Sequence, residues 1–341
     1  MLTGPRALAV ADEPIDGPGP GEVLVRTWYS GVSAGTELAQ YRGTSPFLHR
    51  SWDAARRLFT EPDGDPYPVR TLGYEEVGEL VAAGPGVDLP VGAVVFGTWG
   101  HRTHAVLPAE RARTGLLPAG ADPLTGVFSH IGAVALNGAH DAGVRLGDLA
   151  VVFGLGVPGQ IVAQALRASG ATVVGVDPVP RRRSVALGLG ADVVLDPAAT
   201  AVAEEVRALT GGRGADVCVE VSGATTALAE AVRTVAYASR VVAMGFYQGE
   251  ARGLMLGEEF HHNRVELVCS QISGVAPAAS HRWDKPRLWR AAVELQHAGR
   301  LALLPLITHR VPFADAPGLF ARLDAGEPDL LQAVLTFDGA P

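Results

Sequence analysis

Residues 149–159 read Leu-Ala-Val-Val-Phe-Gly-Leu-Gly-Val-Pro-Gly, a short apolar strand running into Gly154-x-Gly156-x-x-Gly159. Few patterns restrict a chain more. The first glycine makes a tight turn, the second lets backbone approach a pyrophosphate, and the third lets a helix pack on the strand. With 42 glycines in 341 residues, the three glycines alone would arise by chance roughly 0.6 times, so the surroundings decide. They agree with the pattern. Val157 and Pro158 open a helix, where the missing proline N–H costs nothing. Ile161, Val162, Ala165 and Leu166 share one helical face, and Gly170 ends it. A second apolar run, 171–177, closes on Asp177, 18 residues after Gly159. That is where an acidic side chain takes the ribose hydroxyls of a dinucleotide. A carboxylate there favours NAD over NADP. Arg181, Arg182 and Arg183 follow, and Arg182 is the candidate that would admit a 2′-phosphate.

From 148 to 271 strands and helices alternate. Strands are expected at 149–153, 171–177, 192–195, 216–221, 240–244 and 266–270, with helices near 158–169, 180–188, 200–210 and 225–236. Six such strands make a doubly wound parallel α/β sheet. Ser222 and Gly245 follow strand ends, where a cofactor crevice lies. The first 120 residues differ. Short β-like runs at 22–26, 77–82, 93–97 and 104–107 suggest an antiparallel, barrel-like domain. Residues 45–70, with Trp52, Arg56 and Arg57, read as a loop or short-helix insertion of the kind that lines sites. A helix is expected at 284–298 and a last strand at 332–337.

Composition sets outer bounds. A net charge of −8 argues against nucleic acid or an anionic membrane as partner. No run approaches about 18 apolar residues and no leading apolar segment is present, so a cytoplasmic protein is expected. The 2 cysteines, Cys218 and Cys269, both fall in strands expected to be buried. They exclude a disulfide framework and a cysteine-based zinc site.

Four further stretches carry a family likeness. Ser30-Gly-Val-Ser-Ala-Gly-Thr-Glu37 is similar to a Gly-x-Cys-x-Thr-Asp motif, and Gly73-Tyr-Glu-Glu-Val-Gly78 to Gly-His-Glu-x-x-Gly. Tyr41-Arg-Gly-Thr-Ser-Pro-Phe47 and Val176-Asp-Pro-Val179 are similar to stretches of bacterial glycoside 3-dehydrogenases. With the central nucleotide fingerprint, the chain resembles the medium-chain dehydrogenase/reductase family, in its bacteriochlorophyllide dehydrogenase-like branch. The resemblance implies a six-stranded Rossmann sheet plus a discontinuous GroES-like β-barrel catalytic domain. The expected division is 1–122 and 273–341 for the catalytic domain and 123–272 for the NAD-binding domain. It also implies a homodimer or homotetramer, joined through the edge strand 266–270.

Zinc-dependent members of that family hold the metal with a Cys, the His of Gly-His-Glu and a third ligand. In this alignment Ala34 takes the Cys position, Tyr74 the His position, and the third falls near His130. That is a poor set for catalytic zinc, which needs three firm ligands plus water; no metal is expected. Hydride transfer then needs a side-chain acid or base. Tyr74 or His130 is the candidate proton donor and acceptor, with Glu75 and Thr36 beside them; each residue also suits a packing or turn role. His49, His101 and Trp99 are candidate substrate contacts. The expected activity is nicotinamide-dependent interconversion of a secondary alcohol and a ketone, with a small polyol, sugar, glycoside or cyclitol as partner. A zinc-free reductase of activated C=C bonds and a nucleotide-binding protein without turnover are the alternatives.

Overall fold

The structure, a computed structural model, describes every residue except Asp63. It divides into two compact units. The first comprises Met1–His130 and Ile307–Pro341, the second Ile131–Leu306. The boundaries therefore lie at 130 and 306 rather than at 122 and 272. Two features account for the shift. The helix Ser129–Ala142 runs unbroken across the first boundary, beyond the expected position of 122. The segment after 272 bonds back into the second unit, with Ala276 N–H donating to Asn137 and Ala302 N–H to Gln164.

The second unit is a parallel six-stranded sheet. Across it run Val193–Leu195, Thr172–Val176, Leu149–Phe153, Ala215–Glu220, Val235–Ala243 and Glu266–Cys269. Strand order reverses between Leu149–Phe153 and Ala215–Glu220, and ligands bind at such switch points beyond the carboxyl ends of the strands. Leu149–Phe153 is central, so its interior is apolar throughout; Val151, Val152 and Phe153 are buried. The helix Val157–Ala168 covers it with Ile161, Val162 and Leu166, each fully buried. Each such side chain contributes about 1.5–3 kcal/mol.

Two expectations for this unit need correction. The helix expected to reach 236 ends at Thr234, and Val235 begins a strand longer than expected. Ala238, at φ +52°, lies where the ladder shifts register, so an irregular strand had been read as the end of a helix. Cys218 is buried, but Cys269 is exposed. The strand Glu266–Cys269 has a neighbour on one side only and keeps Glu266, Leu267 and Cys269 in contact with solvent.

The first unit holds a mixed six-stranded sheet. Its order is Ile307–Pro312, Gln332–Thr336, Glu22–Val32, Glu76–Ala83 and Val94–Gly97, with His104–Pro108 also on Glu22–Val32. All ladders are antiparallel except Ile307–Pro312 with Gln332–Thr336, which is parallel. The long strand Glu22–Val32 alternates between buried and half-exposed residues, then is buried continuously from Tyr29. That change marks where it passes from the barrel wall into a polar interior. The 45–70 insertion forms a 3-10 turn at Pro46–Leu48 and a hairpin of Ser51–Asp53 with Leu58–Thr60, where Trp52 meets the Phe59 ring edge-on. Among the described residues no helix is long and apolar enough to cross a membrane.

Candidate active site and cofactor site

In the second unit the glycine turn follows the expected logic position by position. Gly154 has φ +90°, and a Cβ there would lie 2.7 Å from Ser222 Cβ. A Cβ on Gly159 would lie 1.8 Å from the Gly154 carbonyl. Neither position accepts a side chain. Gly156 differs: its Cβ would meet only Pro158 Cδ, at an ordinary 4.0 Å, which leaves the room a phosphate needs to reach backbone. The helix Val157–Ala168 starts at that spot, and a helix N-terminus favours an anion. Asp177 is buried and accepts from Leu155 N–H and Val179 N–H, each at 2.8 Å. It thus anchors the glycine turn, with an Arg182 guanidinium nitrogen 3.7 Å away. Ser222 donates to Glu220 through both its N–H and its hydroxyl, and Tyr247 donates to the same carboxylate. Gly245 packs so closely that a Cβ would lie 2.3 Å from Gly223 N and 2.6 Å from Glu220. The expected cofactor residues thus gather at the switch point of the sheet.

In the first unit, Gly73 begins the candidate site. Its φ of +92° turns the chain, and a Cβ would run into His101 Nδ1 at 2.6 Å. Tyr74 follows, half-buried, and its hydroxyl donates to Ser33 Oγ at 2.5 Å, with Thr36 also bonded to the phenol. The Tyr74 and His130 rings are 4.7 Å apart, tilted by 58°. Burial, then the charges of Glu75 and Glu37, hold the phenol well above its ordinary range, so it stays protonated. Tyr74, His130 and Thr36 are therefore brought together as the sequence suggested.

Glu75 lies behind them, fully buried, with Oε2 3.5 Å from the Gln332 amide nitrogen. Among the described residues its Oε1 has no hydrogen-bond partner. Burial first, then the Glu37 and Glu76 charges, push its pKa well above the usual carboxylate range. Glu76 is buried too and accepts from Trp99 N–H at 2.6 Å and Ser30 Oγ at 3.0 Å.

The three candidate substrate contacts sit elsewhere. His49 is exposed, and its Nε2 lies 2.7 Å from the Gly43 carbonyl. Trp99 is buried, with Nε1–H donating to Thr27 at 2.9 Å. His101 has both ring nitrogens occupied inside the protein: Nε2 is 2.7 Å from Glu37, and Nδ1 is 2.7 Å from Ser30 Oγ. Neither Trp99 nor His101 has a polar atom left for a substrate. Sequence reasoning missed Ser33, Glu37, Glu76 and Gln332. Ser33 had a signal: the stretch from Gly31 to Glu37 is one residue longer than its family counterpart. That offset leaves Ala34 exposed and turns Ser33 toward Tyr74.

The donor set does not suit zinc. It offers a hydroxyl from Ser33, a phenol held protonated, and the imidazole of His130, where catalytic zinc is held by thiolate, imidazole and carboxylate. Among the described residues, no group of three His, Cys, Asp or Glu side chains is placed to hold a metal.

Comparison with known proteins agrees with the fold and with a nicotinamide cofactor. Residues 158–285 match the family described as zinc-binding dehydrogenase. A D-guloside 3-dehydrogenase of Shigella flexneri is 33% identical over 326 residues, 93% of either chain. An (R,R)-butanediol dehydrogenase of Bacillus subtilis is 27% identical over 330 residues, 87% of either chain. A solved Sinorhizobium meliloti dehydrogenase bound to NADP superimposes with a TM-score of 0.80 at 21% identity, covering 98% of both chains. The chain belongs to the zinc-binding, medium-chain dehydrogenase/reductase family and is an NAD(P)-dependent oxidoreductase.

Proposed function

We propose that this protein interconverts a secondary alcohol and a ketone on a sugar, glycoside or cyclitol, with NAD and without zinc. The observation that carries the reading is the Tyr74 hydroxyl, held by Ser33 and Thr36 against the His130 ring, where zinc-dependent relatives keep a metal ligand. The bound nicotinamide would accept or return hydride. The chain's own part is the proton. Tyr74, kept neutral by its surroundings, turns its single hydroxyl hydrogen from Ser33 to a substrate oxygen, and His130 exchanges the substrate's proton. A polar cluster of this kind suits hydroxyl-rich substrates better than an apolar enone. The 33% identity to a guloside 3-dehydrogenase supports a sugar substrate. Asp177 supports NAD, because a carboxylate disfavours a 2′-phosphate.

The test is a steady-state screen of polyols, glycosides and enones, followed by nicotinamide absorbance and repeated after chelation. Activity on polyols or glycosides that chelation leaves unchanged is expected; activity on enones alone overturns the reading. Tyr74→Phe and His130→Ala should each lower turnover at least about 100-fold. Near-normal turnover in both removes their proposed roles. We also assign the one-sided strand Glu266–Cys269 as the edge that pairs with a second copy of the chain.

A further inference from the structure

Beneath Tyr74 lies a polar network that the proposed reaction does not use. Ser30 Oγ donates its single hydrogen to Glu76 at 3.0 Å. The same oxygen lies 2.7 Å from His101 Nδ1, so that nitrogen must supply the hydrogen of this second bond. The other ring nitrogen faces a Glu37 carboxylate oxygen at 2.7 Å, an acceptor, and must carry a hydrogen too. Two donating nitrogens make an imidazolium. The second Glu37 oxygen accepts from Ser33 N–H at 2.8 Å, and Ser33 Oγ accepts from Tyr74. The path from His101 to the phenol is thus a single run of contacts within one unit.

We infer that His101 is a positioning residue, a buried cation that clamps Glu37 and thereby fixes the Ser33–Thr36 turn holding the Tyr74 hydroxyl. The inference rests on the proposed role of Tyr74 for its effect on turnover, though not for its geometry. Every element packed on the ring bears on its charge. Glu37 comes from the helix Thr36–Arg42 and Glu76 from the strand Glu76–Ala83. Phe320, on the helix Ala316–Asp324, meets the ring edge-on at 6.2 Å, and Gly73 backs against Nδ1. The terminal ammonium of Met1 opposes the charge. His101 also lines a cavity of about 410 Å³ whose other charged groups include Arg70, Arg102, Asp12 and Glu13. Burial by itself lowers the imidazole pKa. The Glu37 charge and hydrogen bond, joined by Glu76, more than reverse that, and the net shift is upward. A raised value means the clamp is set at low pH and released as pH rises through it.

Histidine NMR on the intact protein tests this directly, with His101→Gln assigning the resonance. The expected midpoint for His101 lies above the ordinary 6.5, and Glu37→Gln should lower it. In kinetics, the wild type should show an alkaline fall in kcat, and His101→Gln should erase it while lowering kcat about tenfold with KM little changed. A His101 midpoint below 6.5, or one unmoved by Glu37→Gln, overturns this inference while leaving the proposed function standing. Unchanged turnover in both Tyr74→Phe and His130→Ala has the opposite effect: it overturns the proposed function and leaves the NMR coupling intact.

Discussion

Glu75 shows how a residue can be easy to find and hard to interpret. Its place after Gly73 and Tyr74 marks it in the sequence, but its state depends on neighbours that the sequence scatters. Glu37 and Glu76 crowd it, and Gln332, 257 positions away, brings an amide to it. With the pKa raised by burial and like charges, the folded chain favours the neutral acid. A raised carboxyl contributes stability that is present at low pH and lost as pH climbs through the folded value. Glu75→Gln, which keeps the shape and removes the ionisation, should therefore flatten the fall in melting temperature between about pH 5 and pH 9. At the upper end the variant should melt about 2–4 °C above the wild type. Parallel curves for the two proteins would show that Glu75 does not ionise in this range. Tyr74 was legible because it sits in a motif, and His130 because it aligns near the third metal-ligand position of the family. Ser30 and Glu76 meet the His101 imidazole network, and Ser33 meets Glu37 and Tyr74, only once two strands and a turn have folded.

At the scale of elements, the glycine turn was legible to the residue, since local sterics fix it. The predicted strand at 149–153 is the observed one, and the helix after it begins one residue early. Gly159→Ala would drive a methyl group to 1.8 Å from a backbone carbonyl. Because the obstacle is backbone, relaxation is expensive. A loss of at least about 2 kcal/mol in unfolding free energy is expected, together with weakened NAD binding by titration calorimetry. An unchanged dissociation constant would mean the turn is not the phosphate cradle.

The edge strand was less legible. Glu-Leu-Val-Cys reads as a buried run by composition, yet the strand has a neighbour on one side only, and exposure of Cys269 follows from that. Whether a strand is central or terminal in a parallel sheet is a property of topology, not of its own four residues. Pairing with a second copy would cover this strand. In the assembled protein neither thiol should react quickly with Ellman's reagent, Cys218 being buried and Cys269 covered. Leu267→Lys should yield a monomer by light scattering with one fast thiol. One fast thiol in the wild type would show that the edge is open.

For the whole molecule, the pattern of strands and helices told the nucleotide unit apart from the β-rich unit, and the resemblance foretold that the second of these is discontinuous. The positions of its joints were not foretold. Asn137 and Gln164 hold 276 and 302 through side-chain bonds across more than a hundred positions, and no local signal announces such ties. The charge network of the first unit was hidden for the same reason. Its members come from 30–37, 73–76, 101, 130 and 332, five separate places in the chain.

The strand Gln332–Thr336 lies inside its sheet, between Ile307–Pro312 and Glu22–Val32. During synthesis this ordering has a cost. Once 307 residues have emerged from the ribosome, the nucleotide unit, Ile131–Leu306, is complete. The segment made first still waits for an inner ladder made almost last, its hydrogen-bonding edge at Tyr29–Val32 unpaired meanwhile. Until that ladder is made the nascent chain carries an open strand edge, which makes it a natural client for chaperones that shield unpaired strand edges.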